Sequence, residues 1–106
     1  MLTRLCLVRH GETAWNTERR LQGHTDIPLN AHGIAQAHAT AASLATERFD
    51  AAYSSDLARA RQTAEAIAGR CLLTPTFDDR LRDLDGEFTL AMLDLDHFKH
   101  INDTYG

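Results

Sequence analysis

Four short apolar runs, separated by segments of helical spacing or turns, constrain the fold of this chain more than any other feature. "TRLCLV" near the start is apolar without helical spacing, as in a strand buried between layers. Asn30 then opens a segment in which Ile34, Ala37, Ala41, Leu44 and Ala45 share one helical face, with Gly33 weakening its first turn. "FDAAYSS" reads as a second strand. Asp56 is placed to cap a second helix, with Leu57, Ala60, Ala64 and Ile67 inward and Gly69 stopping it. "CLLTPTF" is a third strand, "DDRLRDLDG" a short helical turn and "FTLAMLDL" a fourth strand. Asp96 would cap a last helix with Phe98, Ile101 and Tyr105 on one side. The alternation predicts an α/β layered domain with a mostly parallel four-stranded sheet.

A length of 106 residues allows a single domain, residues 1–106, with one layered core. No apolar run approaches the roughly 20 residues of a membrane span, and "MLTRLCLVRHGE" lacks a signal-peptide pattern. The two cysteines, in "RLCLV" and "RCLLT", sit as buried strand thiols do, which predicts a reducing, cytoplasmic setting and no metal role. Net charge is −4, unevenly placed: +1 over residues 1–77 and −5 over residues 78–106. There is one Lys among eleven basic residues and no basic stripe to follow a nucleic-acid backbone.

Chemistry concentrates after the first two strands. In an open α/β sheet, reactive groups gather at the carboxyl ends of strands, and Arg9-His10 ends the first strand while "SSDLARAR" ends the second. Arg offers planar, bidentate donors to phosphate oxygens, and a neutral imidazole is a nucleophile at physiological pH. Arg59 falls in the first turn of the second helix, where unsatisfied N–H groups favour an anion. These residues predict a phosphate or sulfate site at Arg9, His10 and Arg59.

The stretches "LVRHGETAWNTERRLQGHTDIPLNAHGIAQA" and "AAYSSDLARARQTAEAIA" resemble the histidine phosphatase, or phosphoglycerate mutase-like, superfamily, and look most similar to its α-ribazole phosphatase type, over about residues 1–84. The resemblance implies His10 as phosphate-accepting nucleophile, Arg9 and Arg59 as phosphate clamps, and Asn16, Gln22 and Gly23 at the mouth of the site. It also implies a proton donor at Asp83, where "LRDLDGEF" puts Asp in place of the family's Glu. No metal or organic cofactor is implied. The family's second catalytic His, in an SHG-like motif, has no counterpart after Asp83; His97 and His100 fall in the last helix pattern and read as surface residues.

The end of the chain, "FTLAMLDLDHFKHINDTYG", resembles the first strand and helix of a diguanylate cyclase (GGDEF) domain over residues 87–106. That resemblance implies Asp94 as a weak magnesium candidate, with Asp96 beside it, and Asn102 as a base-reading residue. The hairpin that completes a cyclase site is absent, so cyclase activity is not expected. Two family patterns meeting near residues 84–87 without a linker predict a recombined, artificial chimera. Its leading functional expectation is a domain without full native activity that keeps half a phosphate site. The alternative is a residual histidine phosphatase acting on small phosphate monoesters through His10.

The resembled phosphatase fold places its fourth strand between the second and first, so the expected order is 3-2-4-1, with residues 77–87 as a crossover of about the 10–12 residues such a connection needs. A parallel fourth strand would bring Asp94 to the carboxyl edge near His10. A truncated fold with uncovered edges predicts a homodimer, exchanged through residues 77–87.

Overall fold

The computed structural model describes residues 4–17, 25–84 and 90–94; for residues 16, 17, 83, 84 and 94 it describes the backbone. The elements are β1 (Arg4–Val8), α1 (Ala14–Thr17), α2 (Ala31–Leu44), β2 (Ala51–Ser54), α3 (Ala58–Arg70), β3 (Thr76–Phe77), a 3₁₀ segment (Asp79–Leu84) and β4 (Leu90–Asp94). The expected last helix lies outside the described residues.

The sheet runs β1-β4-β2-β3. β3 is parallel to β2, but β4 is antiparallel to both neighbours, so the sheet is mixed rather than mostly parallel. The segment before β4 is tied to the carboxyl end of β2, beside the start of β4. Arg82, in the 3₁₀ segment, holds Asp56 through two bonds, Nε–Oδ1 at 2.7 Å and Nη2–Oδ2 at 2.8 Å. Asp56 follows the carboxyl end of β2, so the chain is held at that edge and β4 starts there and runs back. Register then pairs Leu90 with Val8 and Asp94 with Arg4. Asp94 therefore sits at the opposite end of β1 from His10, roughly 14 Å along a five-residue strand, and the expected approach of Asp94 to the site is corrected.

Alternation divides the sheet into two faces. Val8, Ala52, Leu90 and Met92 point into a core completed by Ala41 of α2 and Ala64, Ile67 and Ala68 of α3. Burying residues the size of Ile67 and Met92 contributes about 1.5–3 kcal/mol each. Leu5, Leu7 and Tyr53 are exposed. α2 and α3 thus cover one face, and the expectation of a strand buried on both sides does not hold for β1.

The inward face of α2 is Gly33, Ala37 and Ala41, while Ile34 is exposed. Asn30 caps the helix as expected, its Oδ1 accepting from Gly33 N at 2.7 Å. In α3 the inward residues are Arg59, Ala60, Thr63, Ala64, Ile67 and Ala68. Gly69 lies within this helix, where a Cβ would meet nothing, and does not stop it. The helix ends one residue later, at Arg70. Leu73 N donates to Ala68 O at 2.8 Å and Leu72 N to Gly69 O at 3.4 Å, with Leu72 at φ 59° in the left-handed position that glycine ordinarily fills.

Candidate active site

His10 follows β1 at its carboxyl end and is half-buried. Its Nδ1 lies 2.5 Å from Gly11 O. A carbonyl oxygen only accepts, so Nδ1 carries a proton, and in the neutral ring the lone pair is then on Nε2. Arg9 and His10 line one cavity of about 340 Å³, together with Gly11, Gln36, Thr40 and Thr63. The structure thus brings the predicted nucleophile and one predicted phosphate ligand to the same opening.

The turn after His10 is fastened to both helices. Gly11 N donates to Thr63 Oγ1 at 3.1 Å, and Thr63 Oγ1 donates to Arg59 O at 2.9 Å. On the α2 side, Glu12 N donates to Gln36 Oε1 at 2.8 Å, Asn30 N to Glu12 O at 2.9 Å, and Asn30 Nδ2 to Glu12 Oε1 at 3.0 Å. Gly33, which weakens helix propensity, is required here: a Cβ on it would overlap the Glu12 backbone. Thr63 and Gln36 were not singled out by sequence reasoning. Their signal was spacing, since Thr63 stands one turn after Arg59, and Gln36 three residues after Gly33.

Arg59 is fully buried, and among the described residues it is not part of the cavity lining. Its Nη1 donates to Thr25 O at 2.5 Å. The start of α3 is also engaged: Asp26 Oδ1 accepts from Ala58 N at 2.5 Å, and Ser55 Oγ from Leu57 N at 3.3 Å. Asp56 is therefore not the cap of α3; Asp26, distant in sequence, satisfies that end, and Asp56 is committed to Arg82. The Arg82 guanidinium holds the Asp56 carboxyl below its ordinary value, against a smaller opposing effect of burial.

Asp83 lies in the 3₁₀ segment, next to Arg82, and its side chain is not among those described. Asn16 lies in α1, likewise described by its backbone, and Gln22 and Gly23 lie outside the described residues. Among the described residues no three His, Cys, Asp or Glu side chains gather as metal ligands, and no helix is long and apolar enough to cross a membrane.

Comparison with known proteins places this geometry in a family. A relative from Yersinia pestis, "Probable phosphoglycerate mutase GpmB", is 51% identical over 79 residues, which are 74% of this chain and 37% of that protein. An Entamoeba histolytica phosphoserine phosphatase, solved with 3-phosphoglyceric acid, is 38% identical, with a TM-score of 0.70 over 84% of this chain and 44% of its own. A mycobacterial glucosyl-3-phosphoglycerate phosphatase, solved with VO3, is 33% identical, with a TM-score of 0.72 over 95% of this chain and 47% of its own. The chain thus spans less than half the length of these relatives. The family match crosses residues 84–87, where a joint was expected, and nothing in the comparisons supports a GGDEF fragment or a chimeric origin. With residues 5–91 matching the family model, the chain belongs to the histidine phosphatase superfamily, branch 1.

Proposed function

We propose that this chain carries the phosphoryl-accepting half of a histidine phosphatase site and acts as a residual phosphomonoesterase on small phosphate monoesters, through a phosphohistidine at His10. The observation that carries this reading is the hydrogen bond from His10 Nδ1 to Gly11 O, which selects the neutral-ring tautomer with its lone pair on Nε2. Nε2 attacks phosphorus, a P–N bond forms as the ester P–O bond breaks, and the departing alkoxide takes a proton from Asp83. Water then attacks the phosphohistidine and gives its proton back to Asp83. The P–N bond breaks, inorganic phosphate leaves, and the neutral imidazole is restored. The nucleophile is the protein's own imidazole, so the scheme invokes no metal or organic cofactor.

Arg9 lines the cavity with His10 and supplies charge-assisted donors for the phosphoryl oxygens. Arg59 joins them when phosphate replaces the Thr25 carbonyl as its acceptor. The family resemblance adds Asn16, Gln22 and Gly23 as further candidates for substrate contact. The names of the relatives, a mutase and two phosphatases of small phosphorylated molecules, support a substrate of that class.

Turnover of p-nitrophenyl phosphate by the whole chain tests the reading. Activity inhibited by inorganic phosphate, abolished in His10→Ala and much reduced in Arg9→Ala, is expected. Equal activity in His10→Ala and the wild type sinks it.

A further inference from the structure

We propose that Gln36 is a positioning residue for His10, holding the imidazole tautomer through the peptide unit between Gly11 and Glu12. The inference rests on the phosphohistidine reading and names a residue that this reading leaves without a role.

A peptide unit is planar, and in the trans form its N–H and C=O point in opposite directions, so fixing one end aims the other. The N–H of the Gly11–Glu12 unit donates to Gln36 Oε1 at 2.8 Å, and its carbonyl accepts from His10 Nδ1 at 2.5 Å. The same rigid plane is therefore held from α2 at one end and holds the nucleophile at the other. Hydrogen bonds in such a chain polarise one another, so the amide of Gln36 strengthens the carbonyl that receives the Nδ1 proton.

The need for this hold follows from Gly11. A Cβ there would overlap the Gly33 carbonyl, so the position must be glycine. Glycine is also the residue least able to keep its own peptide planes oriented. The second plane at Gly11 is held by Thr63, whose hydroxyl proton is committed to Arg59 O and whose lone pair accepts from Gly11 N. Two side chains, one from each helix, thus supply the constraint that the glycine lacks. Gln36 lies on the exposed side of α2 and lines the His10 cavity, so it can be replaced without disturbing the core.

The test compares Gln36→Leu and Gln36→Glu with the wild type in the whole chain, after amide spectra show both variants folded. Nitrogen NMR reads the His10 ring tautomer, and rapid quench with p-nitrophenyl phosphate reads phosphorylation of His10. Gln36→Leu is expected to admit the Nε2–H tautomer and to slow phosphorylation about tenfold. Gln36→Glu keeps an acceptor and is expected to preserve the wild-type tautomer. An unchanged tautomer in Gln36→Leu, or the same change in both variants, overturns the proposal. A tautomer that responds as expected in a chain that never becomes phosphorylated supports the positioning role and refutes the phosphatase reading.

Discussion

Gly11 and Gly33 meet backbone to backbone, so close that a Cβ on the first would overlap the carbonyl of the second. One glycine belongs to the nucleophile turn and the other to the first turn of α2, and their contact sets the distance between the two. Gly33→Ala is expected to destabilise the fold by about 1–3 kcal/mol, the ordinary cost of overpacking between parts that cannot yield. Urea unfolding measures the loss, and phosphate-induced NMR shifts at His10 should weaken with it. A variant as stable as the wild type would mean that the two backbones are not held together.

Leu72 offers the opposite change. It takes a left-handed conformation at the end of α3 while remaining almost wholly exposed, at 92%. Leu72→Gly removes the steric cost of that conformation and gives up little packing, so a gain of about 1 kcal/mol is expected. A shift of the urea midpoint to higher denaturant checks it.

The link between β2 and the 3₁₀ segment predicts a response to acid. Arg82 lowers the Asp56 carboxyl below its ordinary 3.8 in the folded chain. A depressed folded value stabilises above the unfolded value, and that contribution fades as pH falls below about 3.8 through the folded value. Asp78, bonded to Arg80 through side chain and backbone, is pushed down to about 2 and behaves in the same sense. In Arg82→Ala, carboxyl NMR should show Asp56 titrating closer to 3.8. An unmoved titration would mean that the pair does not persist in solution.

The open face of the sheet predicts self-association. Leu5, Leu7 and Tyr53 are exposed together on it, and among the described residues β1 forms an edge. Light scattering is expected to give a dimer mass that reverts to monomer in Leu5→Lys/Leu7→Lys. A monomer at high concentration would contradict the expectation.

The two helices, the Asn30 cap and the strands β1 and β2 were legible because each rests on local spacing. The direction of β4 was not. "FTLAML" is a continuous apolar run that suits either direction, and the tie that accompanies the observed one, Arg82 to Asp56, spans 26 residues. The cap of α3 was misassigned for a similar reason: Asp56 stands at the expected sequence position, but Asp26 reaches Ala58 N from 32 residues away. Of the site, Arg9 and His10 could be read because their chemistry is local to one turn. Gln36 and Thr63 act through peptide planes rather than through substrate, and residue type alone carries no sign of that. The end of the chain taken alone suggests a joint at residues 84–87, whereas the family match runs past it to residue 91.

On the proposed mechanism, phosphate passes through His10. Quenching the chain during turnover of p-nitrophenyl phosphate, at alkaline pH to preserve a P–N bond, and locating the phosphate by mass spectrometry tests it most directly. One phosphate on the peptide containing His10, absent in His10→Asn, is the predicted result. Turnover with the label on another residue, or persisting unchanged in His10→Asn, would contradict it.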